Sequence, residues 1–320
     1  MSEPPRPADM TLQRSSRDQA WVQGRLAEWL GTSEVVLHEG VETNGMSSET
    51  VLLAVDGSEY VARVAPSADD LPVFQSYNLQ AQYDAMRLAG ELSGIPVPVV
   101  GLIEPTGEVL GTPFFLMERR YGVVPPDVMP YTFGDNWLFD ATPAQQQQLQ
   151  HATVDVLAKL HGIADAAKTF AFLDPAAEGH EGATPLRRNL AKTRAWYRYA
   201  IEAERGKSRS PLVERGLDWL EANLPPERDP VLVWGDARIG NVMYRDFLPV
   251  AVLDWEMATL GPREMDLAWL VFAHQVFEEI AGVLELPGMP DFLTREQVIG
   301  TYEELAGVEV GDLTWFEVYA

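Results

Sequence analysis

The stretch VLVWGDARIGNVMYRDFLPVAVLDWE, Val231–Glu256, decides how this sequence is read. Two short apolar runs, VLVW and PVAVL, each lead into an aspartate, Asp236 and Asp254, and Asn241 stands between them. Short apolar runs bounded by glycine and polar residues read as buried strands. The expectation is a strand, a tight polar loop and a second strand, paired as a hairpin that presents Asp236, Asn241 and Asp254 to one cleft.

Aspartate is a common turn residue, but these three residue types in this order match a particular chemistry. Phosphoryl transfer asks little covalent work of a protein. It needs a carboxylate to accept a hydroxyl proton and hard oxygen ligands to hold Mg²⁺ on the phosphates. Asp236 suits the base, and Asn241 and Asp254 suit the metal.

Working outward, the chain divides by character. Ala20–Leu30 carries Val22, Leu26, Trp29 and Leu30 on one helical face, with Gly31 as a stop. Three strand-like runs follow, EVVLHEGV, ETVLLAVD and EYVARVA, the last two joined by the hairpin signal Asp56-Gly57-Ser58. A helix is predicted over Tyr77–Leu92, then strands around VPVVGLIE and PFFLMERR. After the Pro- and aromatic-rich connection Tyr121–Asp140, helices are expected from Thr142, over Leu186–Glu204 and Pro211–Asn223, and after the quoted stretch near Arg263–Leu284 and Thr294–Leu305. The closing run Trp315–Ala320 is apolar and lacks a cap, which reads as an incomplete end with a C-terminal helix missing. The fold class expected is α+β, with a small antiparallel sheet lobe over 19–120, a helical lobe over 121–320 and a loose tail over 1–18.

Composition bounds the partners. With 46% hydrophobic residues in 320, the chain can bury a substantial core and is no disordered protein. A formal net charge of −24 repels nucleic acid and anionic membranes and favours cationic ligands. The absence of cysteine excludes thiolate nucleophiles and Cys-ligated zinc. The start MSEPPRPADMTLQRSSRD has no apolar core of a signal peptide, so a cytoplasmic protein is expected.

Trp234-Gly-Asp236-Ala-Arg238-Ile-Gly-Asn241 resembles the HGDxxxxN loop of the aminoglycoside phosphotransferase-like branch of the protein-kinase-like fold. Leu253-Asp254-Trp255-Glu256 with Asp266-Leu267-Ala268 resembles its metal-aspartate segment, Leu157–His161 its LAxLH helix end, and Ile95–Pro98 its vPvP run. The similarity runs from about Val35 to Phe272 and looks closest to bacterial proteins resembling the kinase domain of acyl-CoA dehydrogenase fusions. It implies a two-lobed kinase using ATP, with GTP as a further candidate, and Mg²⁺. It assigns nucleotide contact to Arg63 in the place of the usual strand Lys, to Gly45, Ser47 and Ser48 in a thin glycine loop, and to Met117 and Glu118. Arg238 and Glu256 become candidates for substrate or phosphate contact. Trp234 replaces the family's His, at a position that mainly packs. Gln82 falls where a Glu would pair with the strand cation, so that ion pair is not expected.

The acceptor expected is a small molecule bearing a hydroxyl. Acidity favours an amino sugar, and aminoglycoside-type kinase chemistry is the expectation; the acyl-CoA dehydrogenase resemblance makes a hydroxyacyl group on coenzyme A the alternative. A nucleotide-binding scaffold without turnover is the rival from another class, supported by Arg63 and Gln82.

Overall fold

The computed structural model describes residues 18–38, 48–66, 73–74, 76–127, 130–203 and 209–320. The chain packs as two units, one formed by Met1–Tyr83 with Val99–Arg119 and the other by Asp84–Pro98 with Arg120–Ala320.

The first unit begins with α1, Gln19–Leu30. Asp18, assigned to the loose tail by sequence, is instead its N-cap and accepts the Trp21 N–H at 2.8 Å. The remaining tail residues lie outside the described residues. Strands β1 (Val35–Leu37), β2 (Glu49–Val55) and β3 (Ser58–Val64) follow, antiparallel to one another. Asp56 and Gly57 turn the β2–β3 hairpin with φ of 49° and 78°, the left-handed pair that a two-residue hairpin turn requires. After α2 (Leu79–Ser93) come β4 (Val100–Glu104) and β5 (Phe114–Glu118), and the sheet order is β1-β2-β3-β5-β4. Val22 and Leu26 of α1 bury against Leu53, Val64, Phe114 and Leu116 of the sheet. The sheet is therefore covered on the α1 side by aliphatic and aromatic packing.

The second unit is mainly helical. Helix α3, Pro143–His161, starts with a capping box in which Thr142 and Gln145 satisfy each other's backbone N–H groups. It is followed by α4 (Ala166–Thr169), α5 (Pro185–Ala203) and α6 (Pro211–Ala222). Short strands β6 (Val231–Val233), β7 (Val242–Arg245), β8 (Leu248–Val252) and β9 (Thr259–Gly261) precede α7 (Glu264–Val283), α8 (Arg295–Ala306) and α9 (Thr314–Tyr319). The closing apolar run is helical as α9 and, as its sequence suggests, carries no side-chain cap. Trp315 and Phe316 bury against Leu217 and Leu220, and the Trp315 indole donates to the Leu220 carbonyl at 3.0 Å.

The hairpin expected of the quoted stretch is corrected. The strand before Asp236 does not pair with the strand before Asp254. β6 pairs with β9, Leu232 opposite Leu260, and β8 pairs with β7, Val242 opposite Val252. The reason is an unforeseen strand, Val242–Arg245, closed by a turn in which Asp246 and Phe247 both take positive φ, 51° and 62°. Non-glycine residues in that conformation gave no turn signal. Among the described residues, no helix is long and apolar enough to cross a membrane.

Candidate active site

The loop that carries Asp236 is fixed from below. β6 is buried along its length, and Gly235 follows it with φ of 91°. A Cβ at Gly235 would stand 2.2 Å from the Met257 carbonyl oxygen, so both the conformation and the space demand glycine. Asp266, in the first turn of α7, accepts the Trp234 N–H at 2.7 Å and the Gly235 N–H at 2.8 Å. Its third partner is His161 Nε2 at 3.0 Å, while His161 Nδ1 meets the Tyr302 hydroxyl at 2.9 Å. Both side chains are wholly buried, and a buried carboxylate is tolerable only when so satisfied.

On this base the Asp236 carboxylate is held by three side chains. Trp269 Nε1 donates to Oδ1 at 2.8 Å, Asn241 Nδ2 donates to Oδ2 at 2.7 Å, and Arg238 Nε reaches Oδ1 at 3.2 Å. Asn241 Nδ2 also donates to the Asp236 carbonyl at 3.0 Å. The amide nitrogen is thereby committed to Asp236, which leaves Oδ1 as the acceptor of this buried side chain. Arg238 bridges on to Asp127 at 2.7 Å. Burial opposes the Arg238 charge, but the Asp236 and Asp127 carboxylates outweigh it and hold the guanidinium above its ordinary value.

Asp254 arrives by the β7–β8 hairpin. The Leu253 N–H donates to the Asn241 carbonyl at 2.9 Å, tying the two predicted metal ligands through adjacent backbone. Asp254 itself has φ of 53°. Two indoles hold the backbone just before this left-handed residue: Trp234 Nε1 donates to the Leu253 carbonyl at 2.9 Å and Trp255 Nε1 to the Val252 carbonyl at 3.0 Å. Trp234, read as a packing residue, therefore also carries a hydrogen bond that shapes the Asp254 segment. The Pro96 carbonyl accepts the Val252 N–H at 2.8 Å, so the Ile95–Pro98 run docks on β8 just before this kink. Glu256 lies half-buried in the turn that follows.

Of the predicted nucleotide residues of the first unit, Arg63, Met117 and Glu118 lie on its sheet. Arg63 on β3 stands opposite Phe115 of β5 and Thr50 of β2. Met117 and Glu118 on β5 pair with Val61 and Tyr60, and the Glu118 N–H donates to the Val99 carbonyl at 2.8 Å. The Ser48 hydroxyl is buried and has no hydrogen-bond partner among the described residues. Gly45 and Ser47 lie outside the described residues. Gln82 is buried, with Tyr77 donating to its side-chain oxygen at 3.4 Å.

Two site features escaped the sequence. Trp269 is one, although it follows Asp266 by three residues and so shares its helix face. The other is an open pocket of about 230 Å³ in the second unit, lined by Trp269, Phe272, Val276, Phe277, Tyr131 and Leu293, with Arg238 also contributing. Its helical residues again recur at three- and four-residue spacing along α7. His274 on the same helix is buried with both ring nitrogens engaged: Nδ1 meets the Tyr131 hydroxyl at 2.9 Å and Nε2 the Met289 carbonyl at 3.3 Å. Trp137, in the connection before α3, packs on Tyr244 and Phe247.

The donor set fits a hard cation carried on phosphates. Among the described residues no three His, Asp or Glu side chains converge as a self-sufficient metal cage. One amide oxygen and one carboxylate, Asn241 and Asp254, are the kind of sparse oxygen set that Mg²⁺ uses when phosphates complete its shell.

A family model described as phosphotransferase enzyme family matches residues 42–292. Acyl-CoA dehydrogenase family member 10 of Mus musculus is 28% identical over 233 residues, 72% of this chain and 20% of that protein. Acyl-CoA dehydrogenase family member 11 of Homo sapiens is 26% identical over 254 residues, 78% of this chain and 30% of that protein. The chain thus spans less than a third of the length of these relatives. A thermostable mutant of aminoglycoside phosphotransferase APH(4)-Ia, solved with ADP and hygromycin B, superposes with a TM-score of 0.56 at 19% identity, covering 93% of this chain and 87% of that one. The macrolide 2'-phosphotransferase MphH of Brachybacterium faecium gives 0.54 at 18% identity, covering 92% and 86%. At these identities the likeness shows the fold, which is protein-kinase-like and α+β.

Proposed function

We propose, from the premise that this chain belongs to the phosphotransferase enzyme family, that it is a small-molecule kinase moving the γ-phosphate of ATP to a substrate hydroxyl. The observation that carries this reading is the arrangement around Asp236. Its carboxylate is held by Trp269, Asn241 and Arg238, and Asn241, with its amide nitrogen given to Asp236, would offer its oxygen to a cation.

Asp236 takes the proton of the acceptor hydroxyl as that oxygen bonds the γ-phosphorus and the bond to ADP breaks. Mg²⁺, when bound, neutralises the phosphate charge, and Asn241 and Asp254 are the residues that would hold it. Arg63 would grip phosphate oxygens as a planar fork in place of the usual Lys. Gly45, Ser47 and Ser48 would cover the phosphates, and Met117 and Glu118 would border the nucleotide. Arg238 is read as a brace of the base more than a free phosphate contact, because Asp236 and Asp127 both engage it. Glu256 would contact substrate beside Asp254.

The curated relatives favour a second reading of the acceptor. Their names as acyl-CoA dehydrogenase family members point to a hydroxyacyl group on coenzyme A as the alternative to an amino sugar.

The test is coupled ADP release with Mg²⁺ and a panel of alcohols, comparing the wild type with Asp236→Asn. Turnover should fall by several orders of magnitude in the variant while ATP-analogue affinity and thermal stability hold. Near-normal turnover in Asp236→Asn would remove the base assignment. No ADP release with any alcohol would favour a nucleotide-binding scaffold.

A further inference from the structure

Helix α7 joins the base to the pocket through one side chain. The Trp269 indole N–H donates to Asp236 Oδ1 at 2.8 Å, and the same ring forms part of the pocket wall. Most of the rest of that wall is Tyr131, Phe272, Val276, Phe277 and Leu293. Among the described residues its only charged lining is Arg238, a cation. The Asp127 and Asp236 carboxylates are turned onto that guanidinium at 2.7 and 3.2 Å, and Glu278, next to the lining residue Phe277, is engaged by the Met289 N–H at 2.6 Å.

An ammonium group entering this pocket would leave water for an aromatic and aliphatic wall with no lining carboxylate among the described residues. Burying a charge without a partner is costly, whereas burying methylenes is favourable. The chain's overall acidity does not alter this, because its field is screened within about 8 Å at physiological salt. The wall chemistry next to the base therefore selects against an amino sugar.

We propose that this pocket is the acceptor subsite of the kinase reaction and takes an uncharged, apolar group bearing the hydroxyl, with Trp269 packing on that group and orienting Asp236. This rests on the kinase reading above. Trp269 is a positioning residue for the base through its N–H and a specificity residue through its ring. Three neighbours on the same helix, Phe272, Ala273 and Val276, set the length of the group that fits.

The experiment measures ADP release with Mg²⁺-ATP and a homologous series of linear secondary alcohols, with kanamycin as the amino-sugar comparison. The expected result is kcat/KM rising about fourfold per added methylene until the pocket is filled, and exceeding kanamycin. Trp269→Phe keeps a ring and removes the N–H, so kcat should fall by about tenfold or more while the acceptor and nucleotide KM values hold. Ala273→Phe fills the pocket and should raise acceptor KM selectively. A flat response to chain length, a preference for kanamycin, or an unchanged kcat in Trp269→Phe would overturn the inference and leave the kinase reading standing. If no acceptor supports turnover, the kinase reading is the one that fails. Thermal shift with the same alcohols then decides the pocket. Stabilisation that grows with chain length and is lost in Ala273→Phe supports an apolar site, and its absence overturns it.

Discussion

The Asp266 carboxylate accepts the Gly235 N–H at 2.8 Å, so the first turn of α7 clamps the backbone immediately before the proposed base. The Trp234 N–H and His161 fill the same buried carboxylate. This clamp thus holds the backbone before Asp236 without drawing on Asp236's own side chain, and that separation of holding from chemistry can be tested.

Asp266→Asn should destabilise the protein by about 2–4 kcal/mol, because an amide presents two donors where three were accepted. Gly235→Ala should cost about 3 kcal/mol or more through its left-handed φ and the overlap with Met257. Thermal denaturation measures both. A melting temperature within a degree of wild type in either variant would mean that the clamp is dispensable.

The metal assignment predicts a graded pair. Asp254→Ala should abolish the Mg²⁺ dependence of ATP-analogue affinity, and Asn241→Ala should weaken it less while also slowing turnover, since Asn241 additionally orients Asp236. Titration calorimetry with and without Mg²⁺ reads this directly. Wild-type affinity indifferent to Mg²⁺ would refute the site.

The proposed phosphate role of Arg63 makes the contributions of its charge and its fork geometry separable. Arg63→Ala should raise the KM for ATP strongly, and Arg63→Lys should recover part of the loss. Steady-state kinetics with varied ATP decides it, and an unchanged KM in Arg63→Ala assigns the role to another cation.

Burial lowers the His274 pKa to about 4 from 6.5, only partly offset by its hydrogen bond to the Met289 carbonyl. In the unfolded chain the ring protonates near 6.5, so unfolding takes up a proton below that pH. Stability from this group is therefore complete above pH 6.5 and is lost as pH falls towards 4, at about 1.4 kcal/mol per pH unit at most. His274→Gln should show a smaller loss of melting temperature between neutral pH and pH 5 than wild type. Equal losses in the two proteins would show that other groups govern acid sensitivity.

Much of the fold was legible because its signals are local. The turn at Asp56-Gly57 is written in two residues whose backbone preferences select it, and the helices follow from apolar spacing along contiguous chain. Asp236, Asn241 and Asp254, the proposed centre of the site, could be singled out by residue type and order because Asp236 and Asn241 share one loop and Asp254 follows the next hairpin. The sequence alone could not say that β6 pairs with β9 and not β8, since both candidates are short apolar runs of similar composition. The unexpected turn at Asp246-Phe247 settled that by taking β8 for β7. Nor could it say that Asp266, His161 and Trp269 converge on the loop, though Asp266 and Trp269 share a helix face. Those contacts join residues 31, 105 and 33 positions apart, and whether such groups meet depends on how whole helices pack. Buried hydrogen-bonding groups must find partners, and tertiary packing decides which distant residue supplies each one.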